Sequence, residues 1–385
     1  MERKLRMGMV GGGRDAFIGG VHRMAAGLDG LIELVCGAFS ADPEKSRLSG
    51  EDLFLDPERC YGTYAEMFAA ELGLPAGERM DFVSIVTPNF LHAPIATAAL
   101  DAGFPVMCDK PMTLDLAEAR ALAAKVESTG LLFGLTHNYT GYPLVKEARH
   151  RVASGELGAI RKVVVEYPQG WLAQAIEKDG QKQADWRTDP ARAGASCCMG
   201  DIGTHAENLV EYITGTAISE LCADLTTFVP GRTLDDDGNV LIRLGSGAHG
   251  VLYASQVSID EENDLRIRVY GEKGGLEWRQ EEPNTLLMKW PDRPRQVLRT
   301  SGPTLSDTAA LHTRLPAGHP EGFIEAFANL YRNFALCLDC RLHGGEPEPH
   351  YSDFPTVWDG VRGMAFIEAV VASSQSDQKW TPVAS

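Results

Sequence analysis

Over the first 137 residues, short apolar runs alternate with stretches whose apolar positions recur every three to four residues, the pattern of a parallel sheet wrapped by crossover helices. The runs Leu5 to Val10, Ile32 to Ala38, Phe82 to Val86, Pro105 to Cys108 and Leu131 to Leu135 predict five strands. Between them, Val21, Met24, Ala25 and Leu28 share one helical face. Thr63 and Glu66 form a capping-box signature ahead of Met67, Phe68 and Leu72. Leu116, Ala119, Leu122, Ala123 and Val126 recur at helical spacing, with Gly130 where a C-cap glycine belongs. The expectation is an α/β domain over residues 1–137 with a doubly wound parallel sheet.

The texture then changes. After a helix around Leu144 to Val152, β-type runs predominate: Ile160 to Tyr167, Leu221 to Val229, Val240 to Leu244, Val251 to Val257, and Leu265, Ile267 and Val269 alternating with Arg266, Arg268 and Tyr270. Gly271 to Gly275 reads as a turn into Leu276 to Trp278. Residues 138–385 therefore predict an α+β domain with a large, mainly antiparallel sheet. A sheet of that size with few helices leaves a face to be covered by a second copy, so a homo-oligomer, dimer or tetramer, is expected. Residues 301–322 carry turn residues with little periodicity and read as a long surface loop, a candidate lid.

Composition narrows the function classes. Lys and Arg number 36 against 53 Asp and Glu, a formal net charge of −17, which repels phosphate backbones and anionic lipid. Neither nucleic acid nor a membrane surface is an expected partner. No run of about 18 apolar residues occurs and the N-terminal residues do not follow the secretory-leader pattern, so the cytoplasm is expected. The eight cysteines are scattered through apolar segments, and the Cys337/Cys340 pair falls within the helical pattern of Ile324, Phe327, Tyr331 and Phe334. They read as reduced structural residues. His249, His312 and His319 have no metal-ligand spacing, and no metal is expected.

The candidate chemistry sits at strand ends. The first strand runs into Gly11-Gly12-Gly13-Arg14-Asp15-Ala16-Phe17-Ile18-Gly19 and then a helix, where backbone amides can approach a pyrophosphate at the positive helix end. A side chain at Gly13 is expected to fall where the phosphates lie. The second strand ends near Ser40, which offers a hydroxyl and no charge, and Lys45 and Arg47 come next; the combination leans toward accepting NADP as well as NAD, or else the two cations are solvated helix residues. Thr87-Pro88-Asn89 and Asp109-Lys110-Pro111 end two further strands, and Lys110 there would donate to an oxygen gaining negative charge. Gly200-Asp201-Ile202-Gly203-Thr204-His205 opens a helix on which Asp201 and His205 share a face. Two readings are open: a carboxylate-oriented general base, or an N-cap aspartate beside a surface histidine.

Taken together, GGGRDAFIGGVHR, TPNFLH, CDKP, ADWRTDPARAG and GDIGTH resemble the Gfo/Idh/MocA (glucose-fructose oxidoreductase / inositol dehydrogenase) family, in order and across nearly the whole chain. The resemblance implies a Rossmann domain binding NAD or NADP and an oxidoreductase acting on a sugar, glycoside or cyclitol. By it, Lys110, Asp201 and His205 fill the catalytic positions. Pro88, Asn89 and His92 match the cofactor-flanking turn, and Trp186 and Arg187 match a pair that reaches the nicotinamide half. Two departures stand out: three residues are inserted between Gly13 and Gly19, and Asp109 replaces a usual Glu, while Cys197-Cys198 stand where small residues are common. Gly11, Gly12, Gly13, Phe17, Ile18, Ser40, Lys45, Arg47 and Asp109 complete the expected cofactor surface. Alternatives are a glycosidase that oxidises its sugar transiently and a non-catalytic cofactor-binding sensor.

Overall fold

The computed structural model describes residues 1–384. In the first unit, β1 (Leu5–Gly11), β2 (Ile32–Ala38), β3 (Phe82–Val86), β4 (Val106–Cys108) and β5 (Phe133–Leu135) form a parallel sheet in the order β2-β1-β3-β4-β5. Helices α1 (Phe17–Leu28), α2 (Pro43–Asp52), α3 (Tyr64–Gly73), α4 (His92–Asp101) and α5 (Leu116–Thr129) make the crossovers. The predicted capping box of Thr63 and Glu66 starts α3, and Gly130 ends α5 at φ +66°. Because β1 is flanked by β2 and β3, the strand order reverses beside it, and ligands of open α/β sheets bind outside the strand ends at such a point.

The second unit contains α6 (Pro143–Ala153), β6 (Ile160–Pro168), α7 (Lys182–Arg187), α8 (Pro190–Ala193), α9 (Thr204–Thr214), β7 (Ile218–Thr226), β8 (Asp237–Leu244), β9 (His249–Ser255), β10 (Arg266–Gly271), β11 (Gly275–Arg279), β12 (Thr285–Lys289), β13 (Gln296–Arg299) and α10 (Asp307–Leu311). Then come α11 (Phe323–Leu342), α12 (Val357–Ser374) and β14 (Thr381–Pro382). The nine strands run β13-β12-β11-β10-β6-β9-β8-β7-β14, antiparallel except where β6 lies parallel to β9. Strands β12, β13 and β14 are absent from the sequence expectation, and α10 interrupts the loop expected over 301–322.

Alternation sets which side of this sheet is covered. Val163, Val165, Ile267 and Val269 are buried, and α9 packs against β6 with α6 beside it. On the other side Glu166 pairs with Arg266 and Arg268, and Glu277 with Lys289, among apolar side chains such as Leu241, 45% exposed. That face is more polar than the apolar alternation of the strands suggests.

One return of the chain is invisible in the hydrophobic pattern. Residues 327–361, which hold most of α11 and the start of α12, group with the first unit and not with the second. Phe334 packs on Phe82 with ring centroids 5.1 Å apart, and the Leu135 amide donates to the Pro355 carbonyl (2.8 Å). All eight cysteines are unpaired, with Cys337 and Cys340 in α11. Among the described residues no helix is long and apolar enough to cross a membrane.

Candidate active site

The glycine turn is built by close approach. Gly11 and Gly12 have φ of +81° and +70°, a conformation that L side chains rarely adopt. A Cβ on Gly19 would lie 2.3 Å from the Gly12 backbone, so these two glycines let α1 approach β1. At Gly13 a Cβ would meet Ser49 Oγ at 2.6 Å and the Phe39 carbonyl at 2.9 Å, and the Gly13 amide donates to that carbonyl (3.3 Å). A side chain there collides with Phe39 in the β2–α2 connection and with Ser49 of α2. The three extra residues form a turn in which the Ala16 amide donates to Gly13 O (3.1 Å) and Asp15 has φ +63°. Helix α1 then starts at Phe17, 74% exposed, and Ala16 supplies no side-chain cap. First-turn amides at Phe17 and Ile18 without such a cap, beside a turn with no Cβ at Gly12, fit a pyrophosphate.

At the end of β2, Ser40 Oγ accepts the Asp42 amide (3.2 Å), and Asp42 caps α2. Lys45 Nζ pairs with Asp15 across the glycine turn (2.8 Å). Arg47 is held by Glu44 (2.7 Å) and Glu51 on its own helix, so its charge is already matched by carboxylates. Arg47 is thus engaged by carboxylates of its own exposed helix face, as the solvated-helix reading of this cation expects.

The turns after β3 and β4 are tied together by His92. Its Nδ1 lies 2.8 Å from the Pro111 carbonyl and its Nε2 2.8 Å from the Thr87 carbonyl, beside Pro88 and the buried Asn89. Both ring nitrogens are used inside the protein, and burial pushes this imidazole's pKa down. Asp109 is likewise turned inward. Its Oδ1 accepts the Lys110 amide (2.8 Å) and the Thr136 hydroxyl (2.7 Å), and its Oδ2 lies 3.7 Å from His22 Nε2. His22 Nδ1 in turn lies 2.7 Å from the Tyr331 hydroxyl, which also meets Ser84 Oγ at 2.7 Å. Burial alone would raise the Asp109 carboxyl, but His22, Lys110 and His92 outweigh it and hold it well below the usual carboxylate range. Burial and the Lys110 charge push the pKa of His137, after β5, down to about 3. Asp109, its side chain 14% exposed, is thus a largely enclosed counter-charge next to Lys110. Sequence reasoning missed His22, Ser84, Thr136 and Tyr331; the available signal was a histidine on the apolar face of α1.

In the second unit, Met199–Gly203 forms a π-type turn in which the Thr204 amide reaches back five residues to Met199 O, and α9 continues from it. Asp201 and His205 straddle this junction and do not lie within one regular helix. Asp201 Oδ2 receives Arg187 Nε (3.1 Å) and Gln256 Nε2 (2.9 Å), so the aspartate is not a helix cap. Arg187 stacks on Trp186 at 4.3 Å from its ring centroid, with Trp171 at 5.8 Å. His205 is only 6% exposed, with the Tyr139 ring edge-on at 4.7 Å and Tyr167 at 6.3 Å. The surface-histidine reading fails on that burial. The two tyrosine hydroxyls bond to each other, and Asn263 joins them, accepting from Tyr167 (2.7 Å) and donating to Tyr139 (3.1 Å). Tyr139, Tyr167, Gln256 and Asn263 carry no motif and were missed. Among the described residues no group of three His, Cys, Asp or Glu side chains is placed to hold a metal ion.

Comparison with known proteins now decides the lineage. Residues 5–137 match the oxidoreductase family with NAD-binding Rossmann fold, GFO/IDH/MocA, and residues 145–277 match a GFO/IDH/MocA C-terminal domain. The chain belongs to the Gfo/Idh/MocA family. An uncharacterized oxidoreductase of Bacillus subtilis, YfiI, is 35% identical, over 99% of this chain and 97% of its own. An oxidoreductase from Sinorhizobium meliloti is 43% identical, covering 98% and 99% of the two chains with a TM-score of 0.89. An inositol dehydrogenase homolog from Azotobacter vinelandii, complexed with NADH and myo-inositol, is 35% identical, covering 99% and 98% with a TM-score of 0.91. This Gfo/Idh/MocA chain is accordingly an NAD-binding oxidoreductase with a Rossmann domain.

Proposed function

We propose that the protein is a dehydrogenase that oxidises a secondary hydroxyl of a sugar, glycoside or cyclitol, or reduces the matching ketone, using NAD. The observation that carries this reading is the buried His205 beside an Asp201 anchored by Arg187 and Gln256. His205 accepts the hydroxyl proton, since imidazole titrates nearest to neutral pH. Asp201, its charge matched by Arg187, orients the turn and does not itself take up the proton. Lys110 donates to the developing alkoxide, with the largely enclosed Asp109 next to it as counter-charge. The Gly11 to Gly19 turn and the start of α1 hold the pyrophosphate, with Pro88 and Asn89 flanking the cofactor, while Trp186 and Arg187 are assigned by the family resemblance to its nicotinamide half. When bound, NAD supplies the hydride acceptor at its nicotinamide ring.

NAD is proposed over NADP because Arg47 is engaged by Glu44 and Glu51, which leaves Lys45, itself paired with Asp15, to meet a 2′-phosphate. A homo-oligomer through the outer face of the nine-stranded sheet is retained as part of this reading, and light scattering at micromolar concentration with a mass near 41.8 kDa would remove it. Eight unpaired cysteines support a reducing compartment, the cytoplasm.

The test is incubation with NAD or NADP and a panel of free sugars, glycosides and inositols, following both reduced cofactor and aglycone release. Net cofactor reduction supports a dehydrogenase; aglycone release without it means the redox-neutral glycosidase. On an accepted substrate His205→Ala lowers kcat about a hundredfold or more and leaves NAD affinity by calorimetry unchanged. Wild-type turnover in that variant removes the general-base assignment.

A further inference from the structure

The segment that carries Asp201 and His205 begins with four amides that a helical start leaves without partners. One residue from elsewhere in the chain receives three of them. Asp235, just before β8 and only 7% exposed, accepts the Cys197 amide at Oδ1 (3.0 Å) and the Met199 amide at Oδ2 (2.9 Å). Its main-chain carbonyl accepts the Cys198 amide (3.1 Å). The fourth amide, of Gly200, goes to Ser196 Oγ (3.0 Å), and that hydroxyl donates to Asp235 Oδ2 (3.0 Å). A helix is usually capped by the residue that precedes it. Here the cap is delivered by the sheet, so the start of the turn is registered to a strand.

A second strand end holds the same turn further along. Gln256 directly follows β9, and its own amide donates to the Asp236 carbonyl (2.9 Å). Its side chain gives Nε2 to Asp201 Oδ2 (2.9 Å), and its Oε1 accepts from Cys197 Sγ (3.5 Å). The turn is therefore fixed at its first amides by Asp235 and at its carboxylate by Gln256, both from adjacent strands of one sheet.

We infer that Asp235 is a positioning residue for the Asp201–His205 turn, locking the π-type junction to the ends of β8 and β9, with Gln256 aligning the Asp201 carboxylate. This rests on the reading of Asp201 and His205 as the proton-transfer pair, although the positioning itself is tested without it. Both carboxylate oxygens of Asp235 are occupied by turn donors, so the residue acts through the turn. The acceptor count explains why a carboxylate stands there: asparagine would present an NH₂ to donors that need an acceptor. A small displacement of a reacting group from outside the chemistry is known to cost about a hundredfold in rate.

The experiment uses the full chain with NAD bound and His residues labelled with ¹³C at Cε1. The chain has ten histidines, and the His205 resonance is identified by its loss in His205→Gln. Asp235→Asn is expected to move the His205 titration midpoint by about half a pH unit or more. NAD affinity by calorimetry should stay within about twofold. On a substrate accepted in the panel, kcat should fall about tenfold or more with KM changed less. A lowered melting temperature with an unmoved His205 titration and unchanged kcat would make Asp235 merely structural and overturn the inference. If Asp235→Asn does not fold, Ser196→Ala removes one donor from the same carboxylate and is judged by the same titration. A moved titration together with full turnover in His205→Gln keeps the positioning role and removes the catalytic assignment.

Discussion

Two aspartates, Asp109 in the first unit and Asp235 in the second, end up on opposite sides of the usual carboxylate range. Asp109 sits next to Lys110 and Asp235 beneath the Asp201–His205 turn. Burial raises both carboxyls. Around Asp109 the His22, Lys110 and His92 groups reverse that effect and leave it below the usual range. Around Asp235 the donors are the Met199 and Cys197 amides and the Ser196 hydroxyl, which lower the carboxyl without cancelling burial, so it stays above that range. Neutral donors satisfy a buried acceptor; around Asp109 the Lys110 charge adds to them. One aspartate serves as a charge and the other as a set of lone pairs.

The largest expected effect tests that division by removing each charge. Asp109→Asn removes a carboxylate that accepts the Lys110 amide and the Thr136 hydroxyl and lies 3.7 Å from His22, and should cost about 2 kcal/mol or more of stability in urea denaturation at neutral pH. Asp235→Asn leaves no charge around it unmatched but turns one acceptor into a donor facing the turn, and should cost about 1 kcal/mol. Equal costs, or the reverse order, would break the comparison.

A carboxylate added in the open sharpens it. Ser40→Asp lies beside no buried cation, so its effect should fall on cofactor choice, shifting the kcat/KM ratio toward NAD over NADP by about tenfold, or about 1.4 kcal/mol. An unchanged ratio, measured with one saturating sugar, would mean that Ser40 does not adjoin the ribose.

The smallest effect is one of sign. Asp109 lies below its unfolded value, so its contribution is complete above the unfolded carboxylate range and is lost as pH falls through the folded value. Asp235 lies above its unfolded value, so its contribution is present below the unfolded range and is lost as pH rises through the folded value. Denaturation of the same two Asn variants at falling pH should show the Asp109 penalty shrinking and the Asp235 penalty growing. Slopes of one sign would show that the two surroundings do not differ in charge.

Much of the first sheet was legible because its strands are short, mainly apolar runs: Ile32–Ala38 and Phe82–Val86 match the expected segments residue for residue. The strand-end turns were legible with them, since the glycines of 11–13, Asn89 and Lys110 stand where such runs stop, and the Asp201–His205 motif was legible from its own spacing. What stayed hidden depends on pairings across long separations. Nothing in the periodicity of α11 says that Tyr331 meets His22, and nothing in Asp235-Asp236-Asp237 says that the first of them caps a turn 36 to 38 residues earlier. At Gly13 the sequence shows that a side chain is missing but not that Phe39 and Ser49 are the protein neighbours excluding it. The π-type junction was missed because one extra residue in a turn leaves no mark on composition.

The return of residues 327–361 to the first unit also bears on how the protein comes into being. His22, Ser84 and Phe82 belong to the part of the chain that leaves the ribosome early, yet their buried partners Tyr331 and Phe334 are synthesised only in the last sixth. Until then the hydroxyl that bridges His22 and Ser84 does not exist, and the ring that covers Phe82 is missing. The first unit stays incomplete until residues 327–361 are made, and from Arg362 onward the chain returns to the second unit, so a cut after residue 137 would not release an independent cassette.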